Sequence, residues 1–136
     1  METEKQMMEF HLDSRSGVAP YLQLVQQVKQ ALRLGFLEPG DQLPTMREVV
    51  SKLVINPNTV LKAYRELEME GLVESRPGRG TFVLRTLAGP SLASHDALRR
   101  SLADWLRDAY DAGLDEESIV ALFTTTLYQT PKEVIV

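Results

Sequence analysis

The spacing of apolar residues changes character several times along the chain. Met8, Phe10 and Leu12 alternate with polar neighbours, a pattern open to a short strand or an ordered arm. From Pro20 the apolar positions become Leu22, Leu24, Val25, Val28, Ala31 and Leu32, the spacing of one helix face, and Gly35 ends that helix. Glu38-Pro39-Gly40-Asp41 reads as a turn. Thr45-Met46-Arg47-Glu48 has the form of a capping box, with the Thr45 hydroxyl accepting from the backbone at 48 and Glu48 reaching back. The short helix it opens runs to about Leu53. Asn56 then caps a further helix with Pro57 at its first position, running to about Glu70 before Gly71. Leu72–Arg76 and Thr81–Leu84 are short strand-like runs joined by Pro77-Gly78-Arg79-Gly80.

Two helices separated only by Val54-Ile55-Asn56 predict a helix-turn-helix, and the hairpin after it predicts a wing. Gly89, Pro90, Ser91 and Ser94 cluster as a linker would. Beyond them, Leu98, Leu102, Trp105, Leu106 and Ala109 repeat at helical spacing within 96–112. Gly113 closes that helix, and Asp115 caps another carrying Ile119, Val120, Leu122, Phe123 and Leu127. The expected fold is mainly α, in the α+β class. A winged helix-turn-helix domain over 1–85 and a linker over 86–91 lead to a two-helix dimerisation module over 92–136.

Two helices in so few residues cannot enclose a core, so their apolar faces need a partner. The partner is the N-terminal domain or, the better reading, the same helices of a second chain. The expected dimer interface is Leu98, Leu102, Trp105, Leu106, Ile119, Leu122, Phe123 and Leu127. Trp105 and Phe123 could instead line a small ligand pocket, which would make the helices an effector-sensing switch.

Charge changes the picture by its distribution. The 136 residues carry 15 basic and 19 acidic groups, net −4. Residues 1–85 hold 11 of each, and the deficit lies in 86–136, with 4 basic and 8 acidic. Between Arg76 and Arg85 there are three arginines and no acid. An acidic total therefore does not exclude a nucleic-acid partner. The second helix of a helix-turn-helix enters the major groove by its first turn. Val60, Tyr64 and Leu67 fall on its inner side, where core packing explains Tyr64 better than base stacking does. Asn58, Leu61, Lys62 and Arg65 fall on the other.

Asn56, Asn58 and Thr59 stand beside the free N–H groups of that helix, where phosphate is attracted. Asn56 is a cap, with or without a DNA contact. Thr45 is chiefly a cap, in reach of a phosphate. Arg47 lies in a first helical turn, where a cation opposes the helix dipole, so contact with a base edge or a phosphate explains it better than stability does. Arg79 lies between Gly78 and Gly80, on a tip suited to a groove, and Arg76 adds charge to the same hairpin.

These segments resemble the GntR family of bacterial transcription regulators. The likeness rests on Pro20-Tyr21-Leu22-Gln23-Leu24, the run Leu37 to Glu48, Asn56-Pro57-Asn58-Thr59-Val60, Ala63 to Glu68, Glu70-Gly71-Leu72 and Gly78 to Val83. Asn-Pro-Asn-Thr-Val followed by Ala-Tyr is similar to the YtrA subfamily, whose members carry a short two-helix C-terminal region in place of a large effector domain. The resemblance implies a homodimeric repressor on a palindromic operator, often one controlling a transporter operon. It implies DNA contacts at Thr45, Arg47, Asn56, Asn58, Thr59, Arg79 and Gly80. Many members have arginine where this chain has Pro57 and Leu61, so base reading here leans on Arg47, Asn58, Lys62 or Arg65.

Other classes fit poorly. With no cysteine, and with His11 and His95 far apart, the chain offers no metal-ligand spacing and no nucleophile–base arrangement. Gly78 and Gly80 belong to a hairpin and not to a nucleotide loop. No apolar run approaches the ~18–20 residues of a membrane span, and the polar start is unlike a signal peptide, so a cytoplasmic location is expected. No cofactor is expected, and no effector can be named. The rival class is a winged helix used for protein–protein contact.

Overall fold

The computed structural model describes residues 8–88 and 92–130, with side chains from 96 onward in the latter stretch. Its elements are α1 (Pro20–Arg33), α2 (Met46–Leu53), α3 (Pro57–Met69), β1 (Val73–Arg76), β2 (Gly80–Val83), α4 (Leu92–Asp111) and α5 (Glu116–Gln129). They fall into two compact units that divide at Leu92–Ala93.

In the first unit α1 packs on α3, and α3 also packs on α2 and β1. Leu24, Val28, Leu32, Leu43, Val60, Ala63 and Leu67 have no exposed surface, and Val49, Leu72, Val73 and Val83 close the core around them. The α1 face is the one its spacing predicts, and Pro20 opens the helix where a missing N–H costs nothing. The Thr45 hydroxyl accepts from the Glu48 amide at 3.2 Å and donates to the Glu48 carboxylate at 3.1 Å, so the capping box closes through the hydroxyl itself. Asn56 accepts from the Asn58 amide at 2.8 Å and caps α3. Between the two helices Val54 takes a left-handed conformation, φ 52°.

The hairpin pairs Val73 with Val83, Glu74 with Phe82, Ser75 with Thr81 and Arg76 with Gly80. The Arg79 amide donates to the Arg76 carbonyl at 2.9 Å, leaving Pro77 and Gly78 as the central residues of a tight turn. Gly78 has φ +74°, the conformation a proline–glycine turn of type II requires. The strands therefore lie about one residue from the expected runs.

The alternating segment at 8–12 forms no strand. Met8, Phe10 and Leu12 pack against the core as an arm. Glutamine side chains tie it down. Gln27 accepts from the His11 amide at 3.0 Å and donates to its carbonyl at 2.7 Å, much as a neighbouring strand would. Gln23, only 8% exposed, accepts from the Asp13 amide and donates towards the carbonyls of Asp13 and Val18 and the Ser16 hydroxyl, all within 3.1 Å.

The second unit is a pair of helices. α4 begins four residues before the expected start at 96, because Leu92 and Ala93 continue the helix-compatible sequence. Gly113, at φ +92°, ends the turn after α4. Asp115 accepts from the Ser118 amide at 2.8 Å, and bonds from the Ser118 side chain and backbone hold its carboxyl below the usual aspartate range. Leu98, Leu102, Leu122, Phe123 and Leu127 are exposed in the single chain, Leu98 at 67% and Leu127 at 63%. Trp105 and Leu106 are half-buried. Ile119 departs from the expected interface set: at 6% exposure it is already packed within one chain and offers little surface to a second. Residues 131–136 of the expected module lie outside the described residues. No helix among the described residues is long and apolar enough to cross a membrane.

Candidate nucleic-acid interface

Three elements of the first unit present the polar residues singled out from the sequence: the start of α2, the outer side of α3 and the hairpin tip. At α2, Thr45 is committed to its cap, while Arg47 two residues on is exposed with no side-chain partner among the described residues. A cation in a first turn is unfavourable to the helix dipole, which the adjacent Glu48 in the same turn complements. At α3, Asn56 spends its side-chain oxygen on the cap, Asn58 is exposed, and Thr59 is half-buried. Pro57 has no N–H, so the Asn58 and Thr59 amides head the helix; the Thr59 amide donates to the Asn56 carbonyl at 2.9 Å.

Further along α3, Lys62 and Arg65 differ. The Lys62 ammonium stands 4.0 Å from the centre of the Tyr21 ring on α1, a cation–π contact. Arg65 is exposed and has no partner among the described residues. The inner face is apolar as expected. Tyr64 is buried, and its hydroxyl donates to the Pro44 carbonyl at 2.5 Å. Burial, reinforced by the nearby Glu48 charge, drives the Tyr64 pKa well above that of free tyrosine, so the group stays a neutral donor. This bond ties α3 to the residue just before the α2 cap, and so to the position of Arg47.

On the hairpin the two arginines also part company. Arg76 is occupied: its guanidinium lies 4.5 Å from the Phe82 ring centre and bridges to Glu74 at 3.2 Å. Arg79 is exposed at the tip with its guanidinium unpartnered among the described residues. Gly80 adopts φ +123°, and a Cβ there would stand 2.5 Å from the Gln42 side-chain nitrogen.

Of the ten expected contact residues, Thr59 is half-buried and Gly80 is set by its backbone, while the other eight sort by how their side chains are held. Arg47, Arg65, Arg79 and Asn58 are available as they stand. Thr45 and Asn56 are caps first, and Lys62 and Arg76 rest on aromatic faces. Two residues at this surface escaped the sequence reading. Tyr21 and Gln42 both lay in segments that carry the family likeness, without any visible tie to Lys62 or to the hairpin tip. Among the described residues no group of His, Asp or Glu could hold a metal ion.

Residues 20–83 match the family model described as "Bacterial regulatory proteins, gntR family". Over 109 residues the chain is 37% identical to the HTH-type transcriptional repressor YtrA of Bacillus subtilis, covering 79% of this chain and 84% of that one. The fold is similar to the solved YtrA from Sulfolobus acidocaldarius, a GntR-family transcription factor, with a TM-score of 0.52 and 32% identity over 69% of this chain and 97% of the other. It is also similar to AraR(DBD) solved in complex with operator ORX1, with a TM-score of 0.50 and 25% identity over 57% of this chain and 98% of that one. These relatives are transcriptional regulators and not enzymes, and the chain belongs with them to the GntR family of bacterial regulatory proteins, in its YtrA subfamily.

Proposed function

We propose that this protein is a cytoplasmic transcriptional repressor that binds a palindromic operator as a homodimer and controls an operon such as one for a transporter. Residues 1–85 serve as the DNA-binding domain and 92–136 as the dimerisation module. The observation that carries the reading is the set of exposed arginines, without side-chain partners among the described residues, on three elements of the first unit: Arg47 on α2, Arg65 on α3 and Arg79 on the wing. Such guanidinium groups are free to meet an anionic partner, and their planar fork suits both phosphate and a guanine edge. Asn58 and Thr59, at the head of α3, add side-chain hydrogen-bonding groups for phosphate, their own amides being engaged by Asn56. Thr45, Asn56 and Gly80 shape these contact points. Lys62 and Arg76, steadied on aromatic rings, contribute positive field beside them.

Selection of bound duplexes from a random pool tests this directly. The expected product is an inverted repeat whose half-site centres lie one helical turn, ~34–36 Å, apart or a multiple of it. On that duplex Arg47→Ala and Arg79→Ala each weaken binding, and each lost phosphate contact lowers the salt slope by about 0.9. Binding indifferent to both substitutions would remove the site assignment. No binding to any duplex at low salt would favour the protein–protein reading of the winged helix.

A further inference from the structure

The wing is a two-stranded hairpin, but it has a third edge. Residues 40–43, the stretch leading into α2, run beside β2: the Gly40 and Leu43 amides donate to the Val83 and Thr81 carbonyls, both at 2.9 Å, and the Val83 amide donates to the Asp41 carbonyl at 2.8 Å. Gln42 forms a bridge opposite Phe82 within this edge. Its side chain reaches along the hairpin to the tip, where Nε2 donates to the Arg79 carbonyl at 3.2 Å.

The space for that reach is made by Gly80. A Cβ on Gly80 would lie 2.5 Å from Gln42 Nε2 and 3.3 Å from Cδ, so any side chain there displaces the amide. The glycine after the tip arginine thus has two local reasons: its φ of +123°, and the passage of the Gln42 side chain. Without Gln42, the hydrogen bond from the Arg79 amide to the Arg76 carbonyl is what remains to fix the Arg79 backbone among the described residues.

We propose that Gln42 is a positioning residue for Arg79. Its amide holds the wing-tip backbone against the same segment that delivers Thr45 and Arg47 three and five residues later. That segment therefore sets the separation between the wing tip and the start of α2. Gln42 acts through Arg79 and makes no DNA contact of its own. The inference rests on Arg79 being a DNA contact, as proposed above.

A double-mutant cycle tests it, with the duplex selected from the random pool as probe. Gln42→Met keeps length and charge but removes the donor. Gln42→Met, Arg79→Ala and the double variant are compared with the parent by fluorescence anisotropy, with thermal unfolding run on all four. Expected are a loss on the order of fivefold for Gln42→Met and at least as much for Arg79→Ala. Once Arg79 is gone, Gln42→Met should change affinity by less than about twofold. A general loss of fold would appear in both backgrounds and cancel. Additive losses would overturn the proposal, since Gln42 would then act independently of the tip. A silent Gln42→Met would overturn it as well. A silent Arg79→Ala on a duplex the protein still binds would remove both the tip contact and the role of Gln42.

Discussion

Two residues in the helix-turn-helix carry more than their types suggest. Val54 holds the turn between α2 and α3 at φ 52° and is 87% exposed. A β-branched side chain in that region crowds its own backbone, at a cost of roughly 1–2 kcal/mol, and so little of it is buried that packing cannot compensate. Val54→Asn should therefore stabilise the protein by about 1 kcal/mol, because asparagine tolerates the left-handed region. A higher midpoint in denaturant, with an unchanged slope, is the expected result. Tyr64 is the opposite case. Its hydroxyl is the buried partner of the Pro44 carbonyl, so Tyr64→Phe leaves that acceptor unpaired. A loss of about 1–3 kcal/mol in the same measurement follows. The pattern of Val60, Tyr64 and Leu67 was enough to place the ring in the core. The partner of its hydroxyl was not legible, because a contact across 20 residues leaves no periodic trace.

At the scale of elements, the helices and the hairpin were readable because each is set by local chemistry: Pro20 at the head of α1, Thr45 and Asn56 as caps, Gly71 and Gly113 after helix ends. The N-terminal arm was not. Alternation at Met8, Phe10 and Leu12 reports only that one side is buried, and a strand needs a partner edge that the sequence cannot announce. Here Gln27 and Gln23 supply the hydrogen bonds instead. The candidate site divides in the same way. The sequence marked the cations, but which were held back, Lys62 by Tyr21 and Arg76 by Phe82, depends on contacts between elements. The arm offers a direct check. Gln23→Leu keeps the bulk but leaves the Asp13 amide and the Asp13 and Val18 carbonyls without their side-chain partner. The variant should lose about 1–3 kcal/mol, and amide exchange at Asp13 should rise well above that in the core of α1.

At the scale of the molecule, charge and apolar surface point to a division of labour between the two units. The second unit exposes Leu98, Leu102, Leu122, Phe123 and Leu127 in the single chain, yet residues 86–136 carry the whole net charge of −4. Apolar residues covered by a second copy would bring two half-site readers together, and linking two binding modules multiplies affinity by about 10²–10⁴. Leu102→Lys with Phe123→Lys, both at exposed positions, should give a folded monomer by light scattering that loses about that factor on the palindrome and little on a half-site. The acid on the same unit acts on a different quantity. Non-specific binding depends on phosphate neutralisation, and a negative patch on the protein opposes it at any sequence. Asp111→Asn, Glu116→Gln and Glu117→Gln together remove three negative charges from this unit. Non-specific affinity for random duplex should then rise, most at low salt, while the affinity ratio of operator to random duplex falls. If random-duplex binding were unchanged at every salt concentration, the acid of the second unit would have no part in specificity, and discrimination would rest on the first unit alone.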